Sequence, residues 1–199
     1  MEIDFSFIKL LIENKNKNNF IEKYSGDDKK LRYLLWKEVN KSNPKGTLIV
    51  IGIYPATATL EKSDNTITRV KKFADLLGYS SFIMMNLCPY RKEYLERKDA
   101  ILEEEILNEN IKAFEYLLKE IKGEIKICAS WGDAIKERKD YLNSLLSIRN
   151  LFRKYNFAWI HLGKETNDNN PRNLSRLPYE NYKIEKLFKI DLYINSLIK

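Results

Sequence analysis

Residues that carry most metal and redox chemistry are scarce in this chain, which has two cysteines and one histidine among 199 residues. Two thiols are too few for a thiolate zinc site or an iron-sulfur cluster. Cys88 and Cys128 both fall in apolar, strand-like surroundings that suit buried free thiols. No metal and no other cofactor is implied. No apolar run is long enough to cross a bilayer, and no membrane partner is expected. The opening residues, Met1-Glu2-Ile3-Asp4, lack the basic start of a secretory signal, so a cytoplasmic protein is expected. Internal repeats and low-complexity linkers are missing too, which predicts one monomeric domain spanning residues 1–199.

What is present suffices for one core: 44% of residues are hydrophobic and 12% aromatic. The formal net charge of +7 suits a polyanionic partner such as DNA, single- or double-stranded. A lysine- and asparagine-rich composition with solvated helix faces accounts for it equally well.

Residues 3–24 carry a helical stripe, Ile3, Phe7, Leu10, Leu11, Phe20, Ile21 and Tyr24, and Leu31, Leu34, Leu35 and Trp36 suggest another short helix. Residues 1–45 are therefore expected to form a helical segment packed on the core. Apolar, β-branched runs at 47–53, 82–87, 125–129 and 157–162 read as strands. Helical patterns fall at about 67–77, 106–121, 134–155 and 182–197. Strands alternating with helices imply right-handed crossovers. The expected fold is α/β, a three-layer α/β/α sandwich with a central, mainly parallel four-stranded sheet.

Each strand runs into unusual polar sequence at its carboxyl end, the edge where open parallel sheets bind ligands. The loops read Gly52-Ile53-Tyr54-Pro55-Ala56-Thr57, Asn86-Leu87-Cys88-Pro89-Tyr90-Arg91, Ser130-Trp131-Gly132-Asp133 and Asn169-Asn170-Pro171-Arg172-Asn173. Asn86 stands out, because one carboxamide offers a donor and an acceptor together, as the edge of a nucleobase requires.

In this order the loops resemble those of the uracil-DNA glycosylase superfamily, and Asn86-Leu87-Cys88-Pro89 is similar to a motif of its single-strand-selective monofunctional branch. The chain also resembles an uncharacterised bacterial domain family with Asn-Pro-Ser-Thr-Ala, Asp-Asp-x-Thr, Asn-Leu and Trp-Gly blocks. Here these read Tyr54-Pro55-Ala56-Thr57-Ala58, Ser63-Asp64-Asn65-Thr66, Asn86-Leu87 and Trp131-Gly132. The superfamily resemblance implies a uracil-DNA glycosylase-like fold and a monofunctional DNA glycosylase that hydrolyses an N-glycosyl bond and leaves an abasic site.

It also implies roles. Asn86 reads the base edge and counts with Asp64 as a catalytic residue, with Tyr54, Pro55 and Asn170 completing the base site. Tyr54 occupies the place of the acidic or amide residue that holds the water in the family, and a phenol is a poor base at neutral pH. Asp64, with Glu61 second, is the candidate catalytic carboxylate. Its ordinary alternative is a helix cap. Pro171-Arg172-Asn173 matches the end of a His-Pro-Ser-Pro-Arg-Asn loop, which puts Asp168 where the family has a histidine. Arg172, Asn170 or Asn173 would then supply the donors.

Lys164, Arg172, Asn173 and Arg176 are candidate DNA contacts, or members of a solvated basic loop. His161 and Trp131 read as core residues. The altered loops suit a target other than plain uracil, such as a bulky modified phage pyrimidine in antiviral defence. Two alternatives stand beside this: a nucleic-acid or nucleotide-binding module without catalysis, and a hydrolase of free nucleosides or nucleotides.

Overall fold

The structure is a computed structural model that describes residues 19–25, 28–40, 42–58, 63–97, 100–121, 125–155 and 157–198. Its strands are β1 (Asn19–Ser25), β2 (Asp28–Glu38), β3 (Lys45–Gly52), β4 (Tyr79–Asn86), β5 (Ile125–Ala129), β6 (Ala158–Leu162) and β7 (Glu185–Leu187). They form one sheet in the order β1-β2-β4-β3-β5-β6-β7. The helices are α1 (Asn65–Leu76), the single turn α2 (Lys92–Leu95), α3 (Glu104–Glu120), α4 (Lys139–Phe152) and α5 (Ile190–Leu197).

Strands β3 to β6 are the four expected from the apolar runs, and they pair in parallel as β4-β3-β5-β6. Side chains alternate between two cores. Leu48, Val50, Phe82, Met84, Cys128 and Ile160 join Ile67, Val70 and Phe73 of α1 on one face. Ile49, Ile51, Ile83, Met85, Ile127 and Trp159 join residues of α3, α4 and α5 on the other. Burial on both faces explains why these strands read as unbroken apolar runs. Both cysteines are free and buried, and burial pushes each thiol up to about 12.

The four-stranded expectation is corrected, because among the described residues the sheet is mixed and has seven strands. On one edge β2 runs antiparallel to β4, with β1 antiparallel outside it; on the other edge β7 runs antiparallel to β6. The helical expectation for residues 19–24 and 31–36 is corrected with it, while residues 3–18 lie outside the described residues. Every residue from Leu31 to Lys37 is buried. That pattern suits a strand held between two others and covered on both faces, and a short apolar run carries no periodicity that separates it from a helix. The last helix also starts later than expected, at Ile190, because residues 185–187 cap the sheet edge as β7.

An irregularity in β2 has a consequence for the site. Ile21 pairs with Leu34 but the next residue, Glu22, pairs with Arg32, so Tyr33 is an extra residue, a β-bulge. Tyr33 and Leu34 both join the α3 side, where the Tyr33 hydroxyl donates to Glu109 Oε2 at 2.6 Å. The bulge shifts the alternation, so Arg32 falls on the α1 side.

After β3 the chain leaves to the α1 face, and after β5 it leaves to the α4 face. The β3/β5 boundary is thus the switch point, and open parallel sheets bind ligands at the carboxyl ends of strands there. Helix α1 starts there because Asp64 caps it, its Oδ1 accepting the Ile67 N–H at 2.8 Å. It stops at Gly78, whose φ of +81° closes the helix end.

Candidate functional site

Asn86 ends β4, and register places it opposite Gly52, the last residue of β3. With Phe82 and Met84 on the α1 face, the alternation points the Asn86 side chain the same way. It is 1% exposed, yet neither its oxygen nor its nitrogen has a hydrogen-bond partner among the described residues. Leaving a buried amide unpaired costs about 1–3 kcal/mol. The backbone holding it is firmly tied: Asn110 Nδ2 donates to the Asn86 carbonyl at 2.9 Å, and the Leu87 N–H donates to the Gly52 carbonyl at 3.0 Å.

Gly52 makes room for that amide. A Cβ there would stand 2.6 Å from Met84 Cε and 2.8 Å from Asn86 Oδ1. Gly52→Ala is therefore expected to push the Asn86 amide out of place and cut ligand affinity about tenfold or more, with Tm lower by a few degrees. Unchanged binding in that variant would show that the amide does not need its position.

Around Ala58 three charged side chains gather on the loop that leads into α1. Asp64 Oδ2 accepts the Ala58 N–H at 2.9 Å, so both Asp64 oxygens take a backbone N–H. Arg91 Nη1 donates to the carbonyls of Ala56 at 2.9 Å and Ala58 at 3.1 Å, and Arg32 Nη1 reaches the Ala58 carbonyl at 3.4 Å. Arg32 is 2% exposed and Arg91 5%. Burial lowers the Arg32 guanidinium to about 10, with Asp64 pulling the other way, so it remains a cation at neutral pH. The candidate carboxylate Glu61 lies outside the described residues.

Sequence reading missed both arginines. The signal was there: Arg32 interrupts the apolar stretch from Leu31 to Trp36, and Arg91 closes the loop that Asn86 opens.

Tyr54 is half-buried at the rim. Burial pushes its phenol above the ordinary value, and Glu137 and Glu96 add to this against Lys92 and Arg176. The phenol is therefore protonated at neutral pH and is no general base. Neighbouring strand-end segments are tied through the backbone: the Cys88 N–H donates to the Ile53 carbonyl, the Ser130 N–H to the Ile51 carbonyl and the Gly132 N–H to the Pro171 carbonyl, each at 2.9 Å. Pro55 is buried beside it, its carbonyl accepting the Lys92 N–H at 2.9 Å.

The fourth loop is engaged mainly with itself. Asn170 is fully buried: its Nδ2 donates to Asp133 Oδ1 at 2.7 Å, and its Oδ1 accepts from the Tyr193 hydroxyl at 2.6 Å. That hydroxyl in turn accepts from Trp131 Nε1 at 3.0 Å. This chain lies on the α4/α5 face, away from Asn86, and ties both ends of the amide into the fold.

Arg172 donates to the carbonyls of Lys164 and Glu165 at 3.3 and 3.2 Å, and Asn173 Oδ1 caps Ser175 N–H at 2.9 Å. Lys164 and Arg176 are exposed, and of the four candidate DNA contacts Arg176 is the one whose charge reaches Tyr54. Asp168, in the histidine's place, pairs with Lys136 at 3.0 Å. His161 is buried in β6 with its ring edge-on to Phe188, and burial lowers it below the ordinary imidazole value.

The structure thus gathers Asp64, Arg32 and Arg91 around Ala58 and turns Asn86 to the same α1 side of the sheet, while Tyr54, with Pro55 beside it, packs against the core on the opposite side, and Asn170, Arg172 and Asn173 hold the fourth loop. Among the described residues no three His, Cys, Asp or Glu side chains cluster as metal ligands would, and no helix is long and apolar enough to cross a membrane.

No curated protein and no solved structure matches the chain. A family match covers residues 32–172, from Arg32 in β2 through all four strand-end loops to Arg172. With more than half its length inside that match, the chain belongs to the DUF1643 family, described as a protein of unknown function.

Proposed function

We propose that this protein is a DNA glycosylase with a uracil-DNA glycosylase-like fold, which hydrolyses the N-glycosyl bond of a modified or damaged base. One observation carries the reading: a buried carboxamide with both polar atoms unpaired among the described residues, at the carboxyl end of the strand next to the switch point, beside a glycine that makes room for it. A base turned out of the helix supplies the missing acceptor and donor at once. The net charge of +7 favours the DNA backbone, and Tyr54, two residues beyond β3, is the aromatic side chain proposed to stack on the base.

In the reaction a water oxygen bonds to the anomeric carbon as the carbon–nitrogen bond breaks. The bond's electron pair leaves with the base, and the water's proton passes to a carboxylate. Asp64 is that carboxylate, since each of its oxygens retains acceptor capacity beyond the one N–H it holds. The remodelled first and fourth loops favour a bulky modified pyrimidine over plain uracil, in keeping with a role against phage DNA.

The same two N–H bonds favour a second reading, a binding module in which Asp64 only caps α1. Incubation with DNAs carrying uracil, hydroxymethyluracil, hydroxymethylcytosine and glucosylated cytosine separates the two, with abasic sites and released base as the readout. Release from one of them is expected, and Asp64→Asn should slow it at least about 100-fold while DNA binding persists. Asparagine keeps the cap on Ile67 but cannot also accept the Ala58 N–H, so the fold should lose about 1–3 kcal/mol and the assay is run well below the variant's Tm. Tight, salt-sensitive DNA binding without release from any substrate would establish the binding module instead.

A further inference from the structure

We infer that Arg32 shares the Asn86 pocket and holds the negative charge of a deprotonated pyrimidine, as a specificity and leaving-group residue in place of the histidine that the fourth loop lacks. This rests on the glycosylase reading for the reaction, but on geometry for the pocket. Strand β2 lies directly beside β4, and the bulge at Tyr33 turns Arg32 to the α1 face that Asn86 occupies. The Arg32 N–H donates to the Pro89 carbonyl at 2.8 Å, which fixes the residue alongside the loop that Asn86 begins.

Its guanidinium is under-used. At 2% exposure its Nε has no hydrogen-bond partner among the described residues. Its Nη1 makes only the 3.4 Å contact to a carbonyl that Arg91 already serves at 3.1 Å. Among the described carboxylates Asp64 alone acts on it, and Asp64 is already bonded to two backbone N–H groups. Lys37, also buried on β2, adds a second positive charge nearby. A cation with a spare planar donor, on the strand beside an unpaired carboxamide and facing the same side, fits one chemistry: a flat ring with acceptor oxygens and a negative charge. A base that has just taken the electron pair of its glycosyl bond has that form. The guanidinium stabilises it without taking up a proton, and the base is protonated afterwards by solvent.

Titration calorimetry of the full chain with barbiturate, a pyrimidine anion at neutral pH, and with neutral uracil tests this. The wild type should bind barbiturate about tenfold more tightly, as a charge-assisted hydrogen bond predicts. Acetate should not compete. Arg32→Gln should erase the preference, Asn86→Ala should weaken both ligands, and the Arg32 Nε–H resonance, identified by its loss in Arg32→Lys, should move on adding barbiturate.

Equal binding of the two pyrimidines, binding of neither, competition by acetate, or a preference that survives in Arg32→Gln overturns the assignment. The wild-type comparison stands even if a variant fails to fold. Base release from DNA without the anion preference would reject Arg32 and keep the glycosylase. The preference without release from any DNA would reject the glycosylase and keep the pocket.

Discussion

Asn86→Ala is expected to lower base release, or affinity for the free base, by about 100-fold or more while leaving the protein at least as stable. The two halves of that result have one cause. In the free protein the amide is buried with both polar atoms unpaired, an arrangement that costs about 1–3 kcal/mol, and alanine removes the cost. Against this stands the loss of packing from a small polar side chain, so Tm should rise or stay within about 2 °C. The ligand's edge, by contrast, loses a donor and an acceptor inside a desolvated pocket, where sites built for a polar group discriminate most strongly. Thermal unfolding and base release measured on the same preparation decide it. A drop in Tm of several degrees with unchanged affinity would make Asn86 a structural tie and remove the basis of the proposed function.

How much of this was legible in the chain follows from what each residue's neighbours are. The four parallel strands showed as apolar runs because both faces are covered, and Leu48, Ile49, Val50 and Ile51 satisfy two cores at once. The place of Asn86 at the end of β4 was legible because a polar residue closes such a run. Strand β2 was not. Leu31, Leu34, Leu35 and Trp36 are spaced like a helical stripe, and the strand spacing is broken by the bulge at Tyr33, which only pairing with β1 reveals. Arg32 was hidden by the same event, since its direction depends on that one extra residue. Asp64 fitted two roles from sequence, and the structure shows the capping bonds without excluding chemistry. Asn170 looked like Asn86, a loop amide beyond a strand. Nothing local announced that Tyr193, 23 residues on, would occupy it.

Those two asparagines therefore make opposite predictions. Asn170→Ala should unfold easily and bind normally. Its amide joins Asp133 to the Tyr193 hydroxyl, and removing it strands that buried hydroxyl's proton and one lone pair of Asp133. A buried donor left unpaired, together with a lost charge-assisted bond, is worth about 3 kcal/mol, or roughly 6–12 °C in Tm for a chain of this size.

A pH signature should accompany the loss. Hydrogen bonds from Thr166 and then Asn170 hold the Asp133 carboxyl below its ordinary value. The stability this provides is present above the unfolded carboxylate's pKa and disappears as pH falls through the lower folded value. The gap between wild type and Asn170→Ala should therefore narrow in acid, measurable as converging melting curves below about pH 4. Affinity for pyrimidine ligands should stay within about twofold, because the network sits on the α4/α5 face. If Asn170→Ala instead kept its Tm and lost the ligand, the base site would extend to the fourth loop, and the burial of Asn170 would have to be relieved when ligand binds. A buried amide paired at both ends holds the fold; one paired at neither, in the same protein, is the one proposed to take a ligand.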